Sequence, residues 1–109
     1  MDALDKLFTD DVVWHTAGTN PLAGDHKGKE ATFKYFGQLG ELTGGTFKVD
    51  LHDCVGNDTH VVGIQNNAGT RNGKTLDEQI TIVFHMKDNR CNEAWEQHTD
   101  QAIWDSFWS

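Results

Sequence analysis

The stretch from Thr46 to about Gln101 constrains the fold more than any other, because it reads as four long strands joined by tight turns. Phe47, Val49, Leu51, Asp53 and Val55 alternate with Lys48, Asp50, His52 and Cys54. That period of two is what a strand requires, since successive side chains point to opposite faces of the sheet. Gly56-Asn57-Asp58 supplies a hairpin turn, and Thr59 to Thr70 the next strand. Asn72-Gly73 is the strongest two-residue hairpin signal in the chain, because both residues tolerate the left-handed backbone of such a turn. Beyond it Leu76, Glu78, Ile80, Ile82, Phe84 and Met86 alternate with Asp77, Gln79, Thr81, Val83 and His85, and Asp88-Asn89 turns into the last strand. Gln65, Asn66 and Asn67 form a polar cluster in mid-strand. Amides there either reach into a pocket to orient a ligand or mark an edge strand facing water, and the second is the reading adopted.

The first half of the chain has a different texture. Leu4, Leu7 and Phe8 have helical spacing and Asp2 is placed to cap them, predicting a short helix over Asp2–Phe8. Asp10-Asp11 ends it, and Val12-Val13-Trp14-His15-Thr16 is β-branched and aromatic, hence a strand. Gly18 to Gly28 is turn-rich. From Lys29 the apolar residues Ala31, Phe33, Tyr35, Phe36, Leu39 and Leu42 lie mostly on one helical stripe, which Gly44-Gly45 stops. Trp104, Phe107 and Trp108 follow at helical spacing, their rings either completing the core or closing a pocket mouth. The pattern predicts an α+β architecture, with helices on one face of a curved antiparallel sheet. With 109 residues and no linker or repeat, residues 1–109 read as one domain.

The last strand carries the chemistry. If residues 91–101 are extended, Ala94, Glu96, His98 and Asp100 share one face, and Glu93, Trp95, Gln97 and Thr99 the other. Two carboxylates and an imidazole in one row are either a solvated sheet face or the acid/base equipment of a pocket. A carboxylate works as a general base near neutral pH only where burial or a like charge raises its pKa, and a row facing a pocket walled by Ile80, Ile82 and Phe84 provides both.

Charge and composition exclude other classes. Seventeen acidic residues against nine Lys plus Arg leave a net charge of −8, with no basic cluster, so nucleic acid is not an expected partner. No apolar run suits a signal peptide or a membrane span, and Cys54 and Cys91 read as reduced thiols, so the expectation is a cytoplasmic protein away from membranes. His26, His52, His60 and His85 lack metal-ligand spacing, giving no support for a metal.

Leu7-Phe8-Thr9-Asp10-Asp11-Val12-Val13-Trp14-His15, the Gly24-to-Phe36 segment, Gly45-Thr46-Phe47 and the ending Glu93-x-Trp95, Asp100, Phe107-Trp108 together resemble the SnoaL-like branch of the nuclear transport factor 2 and ketosteroid isomerase superfamily. The resemblance implies a cone: a strongly bent sheet wrapped around helices, an apolar pocket inside, and a homodimer interface on the outer sheet face. That outer face is expected to carry Val83, Trp95 and Val61, enough apolar surface to favour a second copy. The family usually opens with a longer helix before Asp2–Phe8, which this sequence lacks. A truncated chain, a more open pocket and a partner subunit covering the gap all stay open.

The resemblance also bears on the site. The steroid isomerases carry carboxyl groups at places that fall here near Thr16 and Ile82, so their mechanism is not implied. In the polyketide cyclases of the SnoaL type an aspartate directly after the last-strand Trp acts as acid/base, and here Glu96 holds that place. The reading is a small apolar-ligand protein, either a cofactor-independent isomerase, cyclase or epoxide hydrolase or a non-catalytic binding module. In the enzyme reading Glu96 is the base, His98 the relay and Asp100 its electrostatic partner. Trp14 and Thr16 would line the pocket with Ile82 and Phe84, and His15 would hydrogen-bond either a ligand oxygen or a neighbouring loop.

Overall fold

The computed structural model describes residues 5–109, which form six strands and two helices. In chain order these are β1 (Phe8–Thr16), β2 (Gly24–Lys27), α1 (Lys29–Leu42), β3 (Lys48–Gly56), β4 (His60–Arg71), β5 (Lys74–Lys87), β6 (Arg90–His98) and α2 (Gln101–Trp108). The helix expected over Asp2–Phe8 begins outside the described residues. Within them Leu7 lies in a turn and Phe8 already opens β1, where its ring packs edge-on against Trp14 and Phe33.

The four-strand meander is present with the expected turns. Asn72 and Gly73 at φ 50° and 77°, and Asp88 and Asn89 at φ 53° and 64°, supply two consecutive left-handed residues each, the backbone a two-residue hairpin needs. The strands run β2-β1-β6-β5-β4-β3 across one sheet. Every pairing is antiparallel except β1 with β6, so the sheet is mixed rather than wholly antiparallel. A parallel pair needs a long connection, and here the whole meander provides it. β2 is a short edge strand in the region read as turns. Its residues are mostly exposed, so no apolar alternation marked it.

Cross-strand register defines the two faces of the sheet. One row runs Leu51, Gln65, Ile80, His98, and the next Cys54, Gly63, Ile82, Glu96, both on the inner face. Helix α1 lies on that face, burying Thr32 and Tyr35 and packing Phe33, Phe36 and Leu39 against the core. Val61 is paired with Phe84 on the same inner face, so its neighbour Val62 takes the outward place expected of Val61. β4 is flanked by β3 and β5 and is not an edge, which removes the reason for reading its amides as water-facing.

Strand β6 ends at His98, and Asp100 does not continue its row. Its exposed side chain accepts a hydrogen bond from Ala102 N at 3.0 Å and caps α2, a use of aspartate that satisfies one of the open amides of a helix start. The cap matters because α2 carries Trp104, Phe107 and Trp108, each at most 2% exposed. We expect Asp100→Ala to cost about 1 kcal/mol of stability while leaving any activity in place, as measured by urea denaturation beside a ligand-binding assay.

Candidate active site

Trp14, Phe36, Ile80, Ile82, Phe84 and Trp104 wall a cavity of about 370 Å³ between the inner sheet face and the helices, with Gln65, Asn67 and Glu96 as its polar members. Leu7 and Val49 also line it and are 53% and 54% exposed, marking where it opens to solvent. The volume is at the small end of the range of about 300–1,000 Å³ usual for ligand sites.

Glu96 is the centre of the polar network. It is buried, and its Oε2 accepts from Trp14 Nε1 at 2.6 Å and from the Tyr35 hydroxyl at 2.7 Å. One carboxylate oxygen thus ties β1, β6 and α1 together. Burial and then the Glu96 charge raise the Tyr35 hydroxyl well above its ordinary pKa, so it stays a donor. The other oxygen, Oε1, has no hydrogen-bond partner. It faces His98 Nε2 at 3.5 Å, close enough for attraction between charges but longer than a good hydrogen bond.

His98 follows Glu96 by two residues and so points the same way. Its side chain is fully buried, stacks on Trp104 with ring centres 4.3 Å apart, and places Nδ1 2.8 Å from Glu78 Oε1. Burial by itself lowers the imidazole pKa, but the close contacts and charges of Glu96 and Glu78 outweigh it and hold it above the ordinary value. Burial raises the Glu78 carboxyl, with repulsion from Asp100 and Glu96 adding to it and His98 opposing it. The arrangement is carboxyl, imidazole, carboxyl, with only Glu96 of the three lining the cavity.

The structure thus brings Glu96, His98, Trp14, Ile82 and Phe84 to one place and leaves three expected residues elsewhere. Asp100 is the exposed cap of α2. Thr16 is buried but donates to the carbonyls of Leu22 and Gly24, bonds that hold the chain between β1 and β2. His15 belongs to the outer face, where it bridges Asp25 and Glu93 at 2.7 Å each and stacks on Trp95, so its hydrogen bonds are structural. Sequence reasoning missed Tyr35 and Glu78 as members of the network. Glu78 left a signal: it is a carboxylate in the inward phase of an otherwise apolar row, between Leu76 and Ile80. Tyr35 had none beyond its place on the buried stripe of α1. Among the described residues no group of three or more His, Cys, Asp or Glu side chains is arranged to hold a metal ion, and no helix is long and apolar enough to cross a membrane.

A curved mixed sheet closing over helices and a buried carboxylate cavity places the molecule in the nuclear transport factor 2-like class of α+β proteins. Within that class the chain belongs to the SnoaL-like domain family, whose pattern matches residues 1–94. It is 44% identical to Bal32a from a soil-derived mobile gene cassette, with a TM-score of 0.96 over 100% of this chain and 84% of that one. An uncharacterized protein of Mycobacterium tuberculosis is 29% identical over 107 residues, 97% of this chain and 82% of its own length. A putative SnoaL-like polyketide cyclase from Jannaschia sp. CCS1 shares the fold at 14% identity, with a TM-score of 0.76 over 99% of this chain and 78% of the other.

Proposed function

We propose that the protein is a cofactor-independent acid/base enzyme acting on a small, largely apolar carbonyl or epoxide substrate, with Glu96 as its base. The observation that supports this most directly is the asymmetry of the Glu96 carboxylate: Oε2 is held by two donors, while Oε1 has none and the residue lines an apolar cavity. Anchoring one oxygen fixes the direction of the other, the positional control that general-base catalysis needs. Oε1 takes a proton from carbon beside a carbonyl, the C–H electron pair becomes the enolate double bond, and the proton returns at another position. On an epoxide the same oxygen takes a proton from the attacking water, whose oxygen bonds to a ring carbon as that carbon's C–O bond breaks, and the proton then passes to the alkoxide so formed. His98 balances the carboxylate charge and exchanges protons with Glu96, while Glu78 holds Nδ1 and so orients the ring. The fold shared with a putative polyketide cyclase agrees with this chemistry.

A second reading has its own observation. The Trp14–Glu96–Tyr35 bonds staple three elements together, a task that a carboxylate performs without turnover in a passive binding module. The Glu96→Gln enzyme, assayed against a panel of carbonyl and epoxide compounds, separates the two: lost turnover with retained affinity supports the first, and no turnover in the parent protein supports the second.

We also infer that two copies associate through the outer sheet face. Val55, Val62, Val83 and Trp95 form one cross-strand row on the side away from the cavity, and Val55 is 55% exposed. Sedimentation velocity at tens of micromolar should give a dimer that Val83→Glu converts to monomer. A parent protein that sediments as a monomer overturns this.

A further inference from the structure

We propose that Gln65 and Asn67 form a second polar pole of the cavity, which holds an oxygen function (hydroxyl or carbonyl) at the end of the substrate remote from Glu96. The proposal rests on the reading of this cavity as the substrate site, and it names what that substrate must carry.

Asn67 is only 2% exposed and lines the cavity. Its Oδ1 accepts from Gln65 Nε2 at 2.9 Å, and no described residue accepts from its Nδ2. That nitrogen is not sealed inside the protein, so within a largely apolar cavity it is a donor open to whatever the cavity holds. Its neighbour Asn66 has the opposite orientation and is bonded to Asp77 at 2.8 Å. The polar cluster of β4 is therefore divided by strand alternation, with two amides reaching the cavity and one serving the outer surface. Turning both amides of the Gln65–Asn67 pair exchanges donor and acceptor but leaves the same remainder: one unused NH₂ and one unused carbonyl.

Position adds to the argument. Gln65 is aligned through Ile80 with His98, while Glu96 lies two residues further along β6 and two strands away. Strand spacing and rise put the two poles on the order of 10 Å apart. The rest of the wall includes Trp14, Phe36, Ile82 and Phe84, rings and branched chains with no hydrogen bond to offer except the Trp14 indole, already given to Glu96. Neutral amides at one end and a carboxylate at the other disfavour an anionic ligand. The substrate class that fits is a flat apolar body of about two fused rings with uncharged oxygen at both ends.

The test uses two probes of the same body, naphthalene-2,6-diol and 2-naphthol, titrated into ¹⁵N-labelled protein. The diol should bind at least tenfold more tightly than 2-naphthol and should move the Asn67 side-chain amide signals together with the Trp14 indole signal. Asn67→Leu and Gln65→Leu should reduce the diol to the affinity of 2-naphthol. If those variants do not fold, the comparison of the probes on the parent protein carries the result alone. Equal affinities, with the Trp14 indole signal shifted and the Asn67 amide unmoved, overturn the second pole and leave the Glu96 reading intact. Failure of both probes to move any cavity signal overturns both readings.

Discussion

Glu96→Gln is expected to lower turnover by about 10²–10⁴-fold, the usual contribution of a positioned acid/base group, while the fold and the ligand affinity survive. The reason lies in the hydrogen bonds of the parent carboxylate. A glutamine keeps one oxygen that can accept from Trp14 Nε1 and the Tyr35 hydroxyl, so the staple between β1, β6 and α1 stays in place. What it loses is the second oxygen that accepts a proton. Glu96→Ala makes the contrast. That change leaves both donors buried with nothing to bond, at about 1–3 kcal/mol each, so it should unfold at markedly lower urea than Glu96→Gln. If the two variants are equally stable, the hydrogen bonds to Oε2 are not what holds these elements together. Glu96→Gln also removes one of the two carboxylates that raise His98, so a histidine NMR titration should find its midpoint lowered.

His98→Leu is expected to destabilise the protein by about 3–5 kcal/mol near pH 7, the cost typical of removing one partner from a buried ion pair. Here it would leave Glu78 and Glu96 buried on either side of an apolar side chain. The loss should shrink in acid, as protonation removes the charge. The parent protein should have its own pH signature. His98 is raised in the folded state, so its stabilisation is complete below the unfolded value of about 6.5 and disappears as pH rises through the folded value. Glu78 is also raised, so the folded protein binds its proton more tightly and loses stability as pH climbs above the ordinary glutamate value. Both effects run downward with rising pH. His15 on the outer face is raised too and adds a smaller slope of the same sign, since its charge is closer to solvent. Urea denaturation from about pH 6.5 to 9, above the carboxylate range, should therefore decline in the parent and in His15→Gln, and lose its steeper part in His98→Leu. A flat profile in the parent would rule out a charged His98 in the folded protein.

Most of the architecture could be read locally. Alternation placed β3 to β6, and the Asn72-Gly73 and Asp88-Asn89 turns carry their left-handed backbone in their own chemistry. The α1 stripe and the glycines that end it are likewise properties of neighbouring residues. The same local logic misplaced Asp100, because alternation continues past His98 in the sequence while the chain has already turned to start a helix. β2 escaped notice because an exposed edge strand of four residues needs no apolar period.

For the site, the sequence by itself determined that Glu96 and His98 point the same way, since residues two apart in a strand must. It also determined that Ile80, Ile82 and Phe84 face them in the neighbouring strand, given the turn between β5 and β6. Only the tertiary structure decided what that shared direction was worth. The parallel pairing of β1 with β6 brings Trp14 to Glu96 across 82 residues, the packing of α1 brings Tyr35 across 61, and antiparallel register brings Glu78 to His98 across 20. The interior place of β4 turns Asn67 from a water-facing amide into a cavity donor. Strand alternation is set by bonded neighbours and is written in the chain, whereas the partner of a buried charge is set by which distant strands lie side by side, a choice made by the whole core at once.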